Sequence, residues 1–149
     1  MLLITSASAI GYLSWKLYEY RQEDVAREEL LQTAGDFTRE LTTYSAATVD
    51  KDVKEVLSLS TGNFSKEYTE ALGGDEFRKA LTDTQASSRG KLIHAVIQNL
   101  DEEEAEVFVT FDQTVMNKDQ KDPKTERRRM ELLLIHTSKG WKVDKVTLV

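Results

Sequence analysis

The 149-residue chain contains no cysteine, a single proline and only two histidines. Without cysteine it forms no disulfide, presents no thiolate nucleophile and offers no Cys-ligated metal site. The two histidines, His94 and His136, form no His-x-x-x-His pair, so the spacing of a zinc site is also missing. Basic charge is not in excess: 20 Lys and Arg stand against 26 Asp and Glu, a net charge of −6. A phosphate-binding domain carries a basic excess on one face, so the balance argues against nucleic acid as a partner. A complete membrane span is missing too. Met1 to Trp15 carries no charge, but a span takes about 20 apolar residues. The absence of cysteine leaves the compartment open between the cytoplasm and the outer face of an envelope that does not rely on disulfides.

What is present is a single change of period. Up to about Thr84 the apolar residues recur at helical spacing, and from about Lys91 to Val149 they alternate at strand spacing. An α-rich half followed by an antiparallel β half predicts one α+β domain, with helices on one face of a sheet. The length suits one domain with a real core.

The uncharged stub has three readings. Ala7-Ser8-Ala9 looks like a signal-peptide cleavage site, but no basic residue precedes the apolar run and helix follows without a break. A buried N-terminal helix is the second reading. The third, adopted here as the expectation, is the end of a transmembrane helix that begins before this numbering. Tyr12, Trp15, Lys16, Tyr18, Tyr20 and Arg21 then form an interfacial belt where the helix leaves the bilayer. Residues 1–15 are thus expected as a partial transmembrane segment, 16–29 as a helical stalk and 30–149 as the domain.

Within the domain, Leu30, Ala34, Phe37, Leu41 and Tyr44 share one helical face. Asp50 is the expected N-cap of a second helix through Leu59, with Val53, Val56 and Leu57 inward. Gly62 ends that helix, Asn63 caps a short turn holding Phe64 and Tyr68, and Gly73-Gly74 precedes a helix with Phe77, Ala80 and Leu81. Four strands are expected at Leu92–Leu100, Ala105–Met116, Arg128–Thr137 and Trp141–Leu148. The second alternates cleanly, with Val107, Val109, Phe111 and Val115 opposite Thr110, Asp112 and Thr114. The others carry apolar residues on both faces, Leu92 and Val96 opposite Ile93, Ala95 and Ile97, and Leu133 and Ile135 opposite Met130, Leu132 and Leu134. Both faces must therefore be covered, one by the helices and the other by a curl, a second copy or another protein.

The order Ala34, Phe37, Leu41, Thr43-Tyr44-Ser45, Asp50, Val56-Leu57, Thr61-Gly62-Asn63-Phe64 and Tyr68 resembles the Mce-associated membrane proteins of actinobacteria. Ser88-Arg89-Gly90-Lys91, Ala105-Glu106-Val107 and Gly140-Trp141-Lys142-Val143 extend the resemblance from Ala26 to Leu148. It implies a nuclear-transport-factor-2/cystatin-like fold, a curved sheet around a long helix behind a transmembrane helix. It also implies an accessory subunit of a lipid- or sterol-import complex, single-pass in the plasma membrane with its domain on the outer side. No enzymatic role, cofactor or metal follows from it. VirB8-like subunits of secretion channels share this layout and are the nearest alternative.

The residues themselves carry little chemistry. His94, His136, Asp112, Tyr44 and Tyr68 would be the ingredients of an isomerase-like pocket, yet a general base must face the cavity and Asp112 lies on the polar side of its strand. The tyrosines read as core packing with the hydroxyl at the rim. Asp101–Glu104 with Glu106 reads as a solvated acidic turn. The loop from Asn117 to Arg127, leading into Arg128 and Arg129, has a local basic excess that could touch anionic lipid or an acidic partner. Candidate partner contacts are Leu92, Val96, Leu133, Ile135, Trp141, Arg127, Arg128 and Arg129, with Trp141 read first as packing and second as an interface anchor. The expected function is a membrane-anchored scaffold that binds other subunits. A lipid-binding carrier and an isomerase-like enzyme are the rivals, and an open apolar cavity between helix and sheet would favour the carrier.

Overall fold

The computed structural model describes residues 4–72, 74–119 and 122–149, with side chains from Tyr12 onward except at residues 19 and 22. Met1 to Leu3, the side chains of Ala7-Ser8-Ala9, Gly73 and Lys121 lie outside the described residues. The chain divides into one unit up to Leu30 and a second from Leu31 to Val149.

The first unit is helical. Helix α1, Ile4–Thr42, begins in it and ends in the second. The expected membrane helix, taken to begin before this numbering, finds no support in the structure: no helix among the described residues is long and apolar enough to cross a membrane. Within the described residues, Lys16, Arg21, Glu23 and Asp24 put charge into α1 soon after its uncharged start.

In the second unit the chain runs through β1 (Tyr44–Ser45), α2 (Val49–Ser58), α3 (Gly62–Leu72) and α4 (Asp75–Thr84), then β2 (Ser87–Leu100), β3 (Glu104–Met116), β4 (Lys124–Thr137) and β5 (Gly140–Leu148). The strands form one antiparallel sheet in the order β1-β2-β3-β4-β5. Five strands replace the expected four. The additional one, β1, is two residues long and pairs only with Ser87 and Ser88, too short to leave an alternation in the sequence.

The helices also differ in detail. Asp50 lies inside α2 and the cap position falls on Thr48. The short turn expected after Asn63 is a helix of 11 residues starting at Gly62. Gly62 has φ +50, and a Cβ there would meet Asp144 Oδ1 at 1.8 Å. The glycine therefore starts this helix instead of ending the previous one, and Asp144 Oδ1 accepts the Asn63 amide. Gly90 is a second obligatory glycine: its Cβ would lie 1.6 Å from Thr42 Oγ1, where the end of α1 crosses β2. The crossing is held by Ser88 Oγ donating to the Thr42 carbonyl at 2.7 Å and the Gly90 amide donating to Thr43 Oγ1.

The core lies between helices and sheet. Ala34 and Phe37 from α1, Val56 from α2 and Leu81 from α4 are buried, as are Val107, Val109, Phe111, Met130, Leu132, Leu134 and Val143. Phe37 packs edge-on to Phe64 at 5.1 Å between centroids, and Phe64 stacks on Tyr68 at 5.3 Å. The buried hydroxyls of Thr38 and Thr42 donate to carbonyls one turn back, so their burial leaves no unpaired donor.

Three register shifts shape the sheet, between Leu92 and His94, between Ile97 and Asn99, and opposite Leu133 and Leu134 at Asp144. Each inserts one residue and inverts the parity beyond it. Along the rim of β5, the segment Leu59–Thr61 bonds to both sides of Val143, with N···O distances of 3.0 and 2.8 Å.

Candidate docking face of the sheet

β3 pairs with β4 without a shift, so its parity reads directly. Val107, Val109 and Phe111 point to the helices, and Glu106, Phe108, Thr110 and Asp112 to the outer face. Register places the rest of that face. Val96 lies beside Phe108, Phe108 beside Glu131, and Leu133 between Glu106 and Lys145, while Ile135 sits between Glu104 and Lys142. The result is an apolar strip of Val96, Phe108, Leu133 and Ile135 framed by acids and lysines. Val96 is 55% exposed, and the other three are half-buried. A depression of about 250 Å³ opens here, lined by Gln98, Glu106, Glu131, Leu133, Lys145 and Thr147.

The eight candidate contacts divide between the faces. Val96, Leu133, Ile135, Arg127 and Arg129 belong to the outer face. Leu92 does not: the shift beyond it turns it to the helix side, opposite Phe111 and against Gly35 of α1. Trp141 is likewise buried on the helix side, because the extra residue Asp144 inverts β5, and its ring lies 4.8 Å from His136. Arg128 shares the face of its partner Phe111 and pairs with Glu126. Phe108 was missed by the sequence reading, although the uninterrupted Val107-Phe108-Val109 was its signal.

The titratable candidates do not converge. Asp112 receives a two-pronged contact from Arg127, at 2.8 and 3.0 Å, and that hydrogen bond holds its carboxyl below the usual range. His94 is exposed on the outer face and His136 is exposed beside Trp141. Tyr44 and Tyr68 lie among the helices, and burial, reinforced by Asp52 and Tyr44, pushes the Tyr68 phenol up to about 12. Several of the described basic residues of the loop make local contacts: Lys118 Nζ donates to the Asp83 carbonyl, and Lys124 and Arg128 both pair with Glu126. Asp101 Oδ1 accepts the amides of Glu103 and Glu104, which makes the acidic run a self-capped turn. The exposed aromatics of the first unit, Tyr12, Trp15, Tyr18 and Tyr20, lie on α1 with Lys16 and Arg21, and Lys16 sits 6.0 Å from the Tyr20 ring. Among the described residues no group of acidic and histidine side chains could hold a metal ion.

Comparison with known proteins fits this frame. The family of Rv1363c/MT1408-like uncharacterized proteins matches residues 1–149. The chain belongs to that family. It is 25% identical over 156 residues to the uncharacterized protein Rv1362c of Mycobacterium tuberculosis, covering all of this chain and 68% of the relative. Among solved structures, an IcmL-like type IV secretion system protein of Legionella pneumophila superposes with TM-score 0.68 at 12% identity, covering 83% of this chain and 91% of its own. CagV, a VirB8 homolog of Helicobacter pylori, gives 0.64 at 8%, covering 82% and 97%. VirB8 of Agrobacterium tumefaciens gives 0.63 at 9%, covering 83% and 92%. At these identities the likeness shows the fold alone: the family member has the VirB8-like, nuclear-transport-factor-2-like arrangement of helices on a curled five-stranded sheet.

Proposed function

We propose that this protein is a non-enzymatic scaffold subunit of a multi-protein complex in the cell envelope, and that it docks its partners through the outer face of the sheet. The observation that carries this reading is the contrast in filling. Under the centre of the sheet, where a carrier would hold its lipid, buried Phe37 and Phe111 fill the space and Phe37 packs on Phe64; the cleft of about 400 Å³ that remains lies at the edge between α1 and β2, where Asp36, Arg39 and Lys91 line it beside Leu31 and Leu92. On the outer side, Val96, Phe108, Leu133 and Ile135 remain available, framed by charges that fix register. The secretion-system proteins of like fold support a place in an assembly. The ordered motifs from Ala34 to Val143, which resemble the Mce-associated proteins, support an Mce-type lipid- or sterol-import complex as that assembly. The exposed Tyr12, Trp15, Tyr18 and Tyr20 beside Lys16 and Arg21 support a position at the outer surface of the plasma membrane.

The test is a gentle-detergent pull-down of the full chain from its own membranes, with mass spectrometry of proteins and lipids, run beside Val96→Glu/Leu133→Lys. Recovery of Mce-type permease and substrate-binding subunits, lost in the double variant, is the expected result. Secretion-channel subunits in their place would move the protein to a VirB8-like role. A lone chain carrying stoichiometric lipid would make it a carrier.

A further inference from the structure

A second, smaller cavity lies away from the docking face, where the end of α1 meets α2, α3 and α4. It measures about 180 Å³ and is lined by Glu40, Leu41, Tyr44, Val49, Asp52, Val53, Tyr68, Leu72 and Phe77. Three of these are aromatic and two are carboxylates, and none is basic. Tyr44 and Phe77 meet edge to face at 6.4 Å, while one side of the Tyr68 ring is covered by Phe64. The two acids are not equivalent. Glu40 is neutralised by Arg39, which also holds Asp36. Asp52 makes no ion pair among the described residues; its Oδ2 accepts only from Thr48 Oγ1 at 2.7 Å and the Ser45 amide at 3.3 Å. The Tyr68 phenol, resistant to ionisation, faces the same negative field. Arg78, the nearest cation of α4 in sequence to Phe77, is engaged by Asp50.

Aromatic faces, aliphatic walls and one uncompensated carboxylate are the chemistry that recognises an alkylated ammonium, whose charge is spread over methyl groups and which, lacking N–H, needs no hydrogen-bond acceptor. We propose that this cavity binds a small quaternary ammonium group of the choline type. Tyr44 and Phe77 supply ring faces, Leu41, Val49 and Leu72 receive the methyls, and Asp52 supplies the countercharge. This site is independent of the docking face.

The experiment is an NMR titration of the isotopically labelled full chain with choline, and in parallel with 3,3-dimethyl-1-butanol, its neutral carbon isostere. Choline is expected to saturate with shifts centred on Tyr44, Tyr68 and Phe77, and the isostere to bind about tenfold more weakly. Asp52→Asn, which keeps an acceptor for Ser45 and Thr48, should weaken choline by about tenfold with the rest of the spectrum unchanged. Tyr44→Leu should do the same. Flotation with phosphatidylcholine vesicles then separates the two sources of the group: co-flotation competed by free choline identifies a lipid headgroup, and binding of free choline alone identifies a soluble cation. Equal binding of choline and its isostere, shifts centred elsewhere, or absence of saturation overturns the proposal.

Discussion

The two faces of the sheet are built from the same strands and behave as different materials. Toward the helices, β3 and β4 present Val107, Val109, Phe111, Met130, Leu132 and Leu134, all essentially removed from solvent. Away from the helices, the same strands present Glu106, Phe108, Thr110, Glu131, Leu133 and Ile135, partly wet and mixed in charge. Under its centre, one face is filled by the chain's own side chains. The other keeps Val96 exposed and Phe108, Leu133 and Ile135 half-buried among acids and lysines. If the proposed docking holds, stability resides on one side and recognition on the other, and the two can be perturbed separately.

Four measurements probe that separation, beginning with the largest effect. Phe37→Ala and Phe111→Ala should each cost about 3–5 kcal/mol in urea unfolding, the range for buried phenylalanines; a loss under about 1 kcal/mol would mean that the helix side is not tightly filled. Gly62→Ala forces a left-handed residue and displaces Asp144, and should cost about 1–2 kcal/mol by the same assay. Val96→Glu/Leu133→Lys should shift stability by no more than about 1 kcal/mol while abolishing co-purification of partners. Loss of fold in that double variant would erase the distinction between the faces. His94→Ala and His136→Ala should leave assembly intact, and a folded histidine variant that fails to assemble would contradict their reading as surface residues.

A pH titration adds a test confined to the helix side. The Tyr68 phenol is raised by burial from 10.0 to about 12. Between those values the unfolded chain has lost this proton and the folded chain has kept it, so the unfolded state is favoured progressively. Stability should be unaffected by Tyr68 below pH 10, fall as pH rises through that window and level off above it. The Tyr68→Phe variant should lose this component, which alkaline urea melts would reveal. On the outer face, Arg127→Gln should leave the unfolding midpoint unchanged at neutral pH, because its pair with Asp112 is exposed and screened.

How much of this was legible depended on regularity. β3 was readable in parity, though it starts one residue earlier, at Glu104, because its pairing with β4 has no shift. β2 and β5 were readable as strands but not in parity, since an inserted residue leaves no compositional mark; this is why Leu92 and Trp141 turned out to face the helices. β1 was invisible because two residues carry no period. Gly62 was assigned to the wrong helix because a left-handed glycine ends helices more often than it begins them, and only the distant Asp144 explains its position. Of the docking face, Val96, Leu133 and Ile135 were legible as apolar residues of the wrong parity for the core. Phe108 was hidden among the threonines and the aspartate of a strand whose other face was so regular.

The strap formed by Leu59–Thr61 has a consequence beyond local packing. A sheet with open rims is a template for runaway stacking, one chain adding to the next through main-chain hydrogen bonds. Here Val143 is claimed from both sides by the strap, the opposite rim is capped at Ser87 and Ser88 by β1, and the remainder of β2 is broken by two insertions. Crowded together, copies of this domain have no continuous ladder of donors and acceptors to zip along. They can be concentrated in one assembly without seeding a fibre.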